Sequence, residues 1–187
     1  MNKLLSLCVA SLVIFTTGIA FAGMPFGTTI TSGSTITAQR DAPCGGSTDT
    51  YDVALPAGCF GAIDVFGNVT IGTCFFAASH ELTGFVVTLS SSSGSGTFDG
   101  TNLTLTPDIN VNVTDDPPSG LSCDTSSPVS PPLAGTVDAT GTGTISFSGS
   151  IPGPTFSPSA TCPPAVAGAL NCVLNTVTGS TLNITIP

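Results

Sequence analysis

The 187-residue chain reads as all-β: an antiparallel β-sandwich, with a small closed β-barrel as the alternative, carrying long Pro/Ser-rich loops and disulfides. Three observations predict this. Short runs that alternate apolar and polar residues recur behind glycines, as strands with one buried face do. No helical periodicity is sustained beyond the leader, and Trp is absent. Six cysteines follow an export-type leader, without a C-x-x-C pair.

The leader comes first. Lys3 precedes an apolar run, Leu4–Phe21, and Ala20-Phe21-Ala22 fits the small-x-small cleavage rule. Residues 1–22 are expected to be a cleaved signal peptide and 23–187 a single disulfide-stapled β domain. Cys8 lies inside the leader and is not read as a lipid anchor. No later run reaches the roughly 20 apolar residues of a membrane helix, so no membrane contact is expected after cleavage.

Along the domain, Gly27-Thr-Thr-Ile30, Gly33-Ser-Thr-Ile36-Thr37 and Gly67-Asn-Val69-Thr-Ile71 read as strand starts. The stretch Cys59–Leu89 holds five phenylalanines and is the expected centre of the core, with strands over Ala62–Phe66 and Gly84–Leu89. Ser90–Gly96 reads as a flexible loop. Gly100-Thr-Asn-Leu103-Thr-Leu105 begins another strand. Ile109-Asn-Val111-Asn-Val113-Thr114 is the clearest alternation in the chain. Asp115–Pro132 and Pro152–Pro164 read as long loops stapled by cysteine. Gly143-Thr-Ile145-Ser-Phe147 and Thr181–Ile186 are strands, and Ala165–Cys172 is one short helical turn. Gly135-Thr-Val-Asp-Ala-Thr140 echoes Gly96-Thr-Phe-Asp-Gly-Thr101. The total is eight to ten strands.

Cys44, Cys59, Cys74, Cys123, Cys162 and Cys172 are expected to form three disulfides among fifteen pairings. Cys162–Cys172 is the most local candidate. Zinc is disfavoured, because thiolate clusters want closely spaced pairs and imidazole.

After cleavage Arg40 is the sole basic residue against eleven acids, a net charge near −10. Nucleic acid is excluded as a partner, since phosphate contacts need Lys and Arg. The same lack of cations excludes electrostatic binding to an anionic membrane.

Chemistry-bearing residues are scarce. Ser79-His80-Glu81 is the only place for acid–base work, and neighbours on a strand point to opposite faces. A polar turn is the expectation there. Asp41, Asp49 and Asp52, and Asp115-Asp116, give a weak possibility of Ca²⁺ and otherwise read as solubilising acids. The sequons at Asn68, Asn102, Asn112 and Asn183 matter only in a glycosylating host. No residue is assigned as catalytic, cofactor-binding or metal-ligating, and no cofactor is expected.

A non-enzymatic role follows. The first expectation is an exported structural or adhesive domain, periplasmic, cell-surface or extracellular, self-associating through the terminal strands at Thr28–Thr37 and Thr181–Ile186. The alternative is a binding module for an apolar ligand or glycan, in a pocket lined by Phe60, Phe75, Phe76 and Phe85.

Overall fold

The structure, a computed structural model, describes residues 24–79, 84–117 and 119–187. The expected leader, His80 and Glu81 lie outside the described residues.

Twelve strands form: β1 (Met24–Ile30), β2 (Thr35–Gln39), β3 (Thr48–Asp52), β4 (Ala57–Ile63), β5 (Asn68–Phe76), β6 (Phe85–Phe98), β7 (Asn102–Asp115), β8 (Ser122–Ser127), β9 (Leu133–Val137), β10 (Thr142–Pro152), β11 (Thr155–Phe156) and β12 (Thr176–Thr185). One helix, α1 (Pro164–Val173), precedes β12.

Of the two expected architectures, the barrel is the one formed. The strands run β1–β4–β5–β6–β7–β9–β10–β12 around an antiparallel ring of eight, and β12 closes it by pairing Ile184 and Thr185 with Ile30 and Thr29 of β1. Closure removes the sheet edges that two separate sheets would expose.

One end of the ring is tight. Three hairpins turn there, at Asp64–Gly67, Asp99–Thr101 and Asp138–Gly141. The strand entering each reads Gly-x-apolar-Asp: Gly61–Asp64, Gly96–Asp99 and Gly135–Asp138. A Cβ on Gly61, Gly96 or Gly135 would sit about 2 Å from the carbonyl oxygen of Thr70, Thr104 or Thr144 on the neighbouring strand. Glycine is what lets these backbones approach. Each Asp then accepts the loop's amides; Asp99 Oδ1 takes the Thr101 and Asn102 N–H groups at 3.0 and 2.7 Å.

At the other end the wall parts, because two long strands change partners along their length. β12 pairs with β2 through Thr176–Thr181 before it meets β1. β7 pairs with β9 at Asn102–Leu105 and with β8 at Asn112–Thr114. β3 extends the wall beyond β2, and β11 beyond β8. The switch from β1 to β2 is held by Ser34 and Asn183. Asn183 N–H donates to Ser34 Oγ at 2.9 Å, and Ser34 donates to the Thr31 carbonyl at 2.8 Å.

Helix α1 straps this parted end. Pro164 starts it without needing an amide partner, and Ala167 and Leu170 are its buried face. Disulfide Cys123–Cys162 ties its leading end to β8. Disulfide Cys44–Cys172 ties its last turn to the 3-10 turn Ala42–Cys44 that follows β2. Asn171 adds a two-way bond to Phe156 of β11, at 2.7 and 3.0 Å. The third disulfide, Cys59–Cys74, joins directly opposed residues of β4 and β5.

All six expected cysteines are therefore paired, and the expected Cys162–Cys172 bridge is not formed. Residues 164–173 are a ten-residue helix, about 15 Å long at 1.5 Å per residue, whereas bridged Cα atoms stand no more than about 7 Å apart. Three further segments, expected as loops, differ from expectation because pairing with neighbouring strands overrides local residue preference. Ser90–Gly96 is strand, inside β6. Ala62–Phe66 is not one strand, because β4 ends at Ile63 and Asp64–Phe66 make the hairpin turn. The two Pro-rich segments each carry a strand, β8 and β11.

Two apolar cores result. Leu103, Leu105, Ile145, Ile184, Val69 and Ile71 fill the tight end. Val113, Cys123, Phe156, Cys162, Ala167 and Leu170 pack beneath α1.

Candidate functional site

Between the two cores lies a cavity of about 150 Å³. At roughly 30 Å³ per molecule it has room for about five waters, yet its wall is almost wholly apolar. β7 contributes Leu105, Pro107, Ile109 and Val111, its inward-facing alternate residues. β6 contributes Val87 and Leu89, and β12 contributes Val177, Leu182 and Ile184. Ile36 and Ala38 of β2, with Tyr51 of β3 and the adjoining Val53, close the opposite side. Leu174, just after α1, reaches in from the strapped end. The cavity is partly open to solvent; of its lining residues Phe76, Ala77 and Val87 are half-buried and Asp52 is exposed.

An empty cavity is costly. Atoms lining it lack packing partners on one side and so lose dispersion contacts. Close-packed interiors ordinarily keep few voids larger than a water.

Few polar side chains line the wall: Thr28, Tyr51, Asp52, Ser79 and Ser180. Ser180 is 93% buried on β12, and its hydroxyl meets no hydrogen-bond partner among the described residues. The other buried serines differ. Ser34 is bonded as above, and Ser91 donates to the Ser93 carbonyl at 2.7 Å. A buried hydroxyl left unsatisfied costs about 1–3 kcal/mol. Ser180 stands in a register row with Phe147, Ile36 and Tyr51, which places it on the inward face.

The expected pocket phenylalanines are mostly elsewhere. Phe76 lines the cavity. Phe60 and Phe75 lie outside the barrel, stacked at 5.8 Å, where they cover Gly27 and Gly58 of adjacent strands. Phe85 packs with the core beneath α1. The reason is register: in β4 and β5 the inward positions belong to Cys59, Ile71 and Cys74, so Phe60 and Phe75 face out.

The acids hold turns. Asp41 caps the Ala42–Cys44 turn, and Asp49 pairs with Arg40. Asp115 accepts the Ser119 amide at 2.6 Å. Asp108, not singled out by sequence, takes the Ser93 and Ser130 hydroxyls at 2.7 and 2.6 Å. The Ser119 hydroxyl, ahead of its amide, holds Asp115 below the ordinary carboxylate range, and the Ser130 and Ser93 hydroxyls do the same for Asp108. Among the described residues, no three of His, Cys, Asp or Glu converge as a metal site. Of the residues weighed for acid–base chemistry, only Ser79 is described; it lies on the cavity wall, its backbone bridged to Val87.

What this arrangement can do chemically is surround a small apolar body beside the Ser180 hydroxyl. Among the described residues, no helix is long and apolar enough to cross a membrane. Comparison with protein-family models, with curated proteins and with solved structures returned no match.

Proposed function

We propose that the protein is a non-enzymatic binding module for a small apolar molecule, held in the cavity between its two cores. The observation that carries this reading is the cavity itself, an open apolar space kept between the two cores of the barrel. A guest would recover packing that the empty wall forgoes. Three disulfides are consistent with an oxidising environment. We place the module outside the cytoplasm, in the periplasm, at the cell surface or in the medium.

The structural or adhesive role ranks second. Of the strands it relies on, β12 is flanked by β10 on one side and by β1 and β2 on the other, and β1 pairs with β4 along its length and with β12 at Thr29 and Ile30. Among the described strands, β3 and β11 each have one neighbour, and strand addition would begin at β3.

Toluene titrated into the oxidised chain, followed by methyl nuclear magnetic resonance, tests the first reading. Saturable one-to-one shifts at Leu105, Val111 and Ile145 are expected, and Ala38→Phe should abolish them by filling the space. Shifts that scatter over the outer surface, or that survive the filled cavity, would refute it.

A further inference from the structure

Resting on that reading, we infer that the guest is a neutral, slender molecule carrying one hydroxyl or carbonyl oxygen, and that Ser180 Oγ is the atom that receives it. Two independent features of the wall define this ligand class.

The first is hydrogen bonding. Ser180 is buried on the inward face of β12, its hydroxyl without a partner among the described residues, on a wall whose other contributions from that strand are Val177, Leu182 and Ile184. Its neighbours in the row offer no acceptor of their own from Ile36 or Phe147. A hydroxyl both donates and accepts, so it serves an alcohol or a carbonyl equally. Ser34, the buried serine at the turn between β1 and β2, instead bonds to Thr31 and Asn183 and does not line the cavity.

The second is charge. Arg40, the only basic residue among those described, is engaged by Asp49 and does not line the cavity. A carboxylate or phosphate head would enter without a counter-charge, and burying an unpaired ion is strongly unfavourable. Asp52, the one carboxylate among the lining residues, is exposed and adds negative charge near the cavity, not positive. A volume near 150 Å³ limits the body to about the size of a benzene ring with a short substituent.

Toluene, benzyl alcohol and benzoate share a skeleton and differ in the polar group. Their dissociation constants are to be measured on the oxidised chain, on Ser180→Ala and on the near-isosteric Ser180→Cys. The wild type should bind toluene and benzyl alcohol and reject benzoate. Both variants should weaken benzyl alcohol about five- to tenfold, the worth of one net hydrogen bond, and leave toluene within about twofold. Equal weakening of both neutral probes, or none, would overturn the assignment to Ser180 while the cavity reading stands. Benzoate binding as tightly as benzyl alcohol would overturn the neutral class. If the wild type takes neither toluene nor benzyl alcohol, the cavity reading fails and this inference with it.

Discussion

Ser34 and Ser180 are both buried in the barrel wall, and hydrogen bonding separates them: one joins two strands, the other faces a cavity. Nothing in the local sequence distinguishes them, because the partner of Ser34 is Asn183, which the fold brings from 149 residues away. Asp64, Asp99 and Asp138 are the opposite case, each bonded to partners a few residues on across a short loop. Their hydrogen bonds, led by those from the Asn68, Asn102 and Thr140 side chains, hold all three below the ordinary aspartate range. A carboxylate depressed in the folded state stabilises it above the unfolded value, about pH 3.9, and the benefit is lost as pH falls through the folded values. Urea unfolding should therefore show stability falling on acidification below about pH 4. Asp64→Asn, Asp99→Asn and Asp138→Asn together should lower stability at pH 7 and flatten that fall. An unchanged acid slope in the triple variant would contradict the assignment of these turns.

Among elements, those specified by local pattern were the readable ones. β7 announces itself over Ile109–Thr114 by strict alternation, and the echo between Gly96–Thr101 and Gly135–Thr140 marks two equivalent hairpins. The third, from Gly61 to Asn68, escaped because Val65 and Phe66 look like strand residues; they are exposed at a hairpin tip. Ser90–Gly96 looks like a linker, but pairing with β5 and β7 on either side overrides its weak strand preference. Disulfide pairing depends on which elements meet, so the helix between Cys162 and Cys172 was the missing fact. The disulfides are unequal in the chain they close. Cys44–Cys172 spans 128 residues against 15 for Cys59–Cys74, worth about 5 and about 3 kcal/mol by loop entropy. Replacing Cys44 and Cys172 by serine should thus cost more stability than replacing Cys59 and Cys74. It should also speed amide exchange in α1 ahead of β6 and β7. Equal costs, or α1 amides as protected as before, would contradict the strap.

At the scale of the whole molecule, class was legible and closure was not. Alternation behind glycine specifies strands with one buried face, and sandwich and barrel both bury one face. The decision rests on β12 meeting β1, a contact between the two ends of the domain, and on glycines that let the tight end coil. The cavity was less legible still, since it exists only because β7 and β12 exchange partners midway and part the wall. Its polar feature, Ser180, lies in a run of Thr, Gly and Ser that reads as ordinary strand surface. The phenylalanines that suggested a pocket mostly cover glycines outside it. An oxidised crystal pressurised with xenon tests the account most directly, because xenon enters apolar cavities that water leaves empty. The account predicts xenon between Leu105, Val111, Ile145 and Leu182. A site filled by collapsed side chains, with no xenon there at saturating pressure, would contradict it.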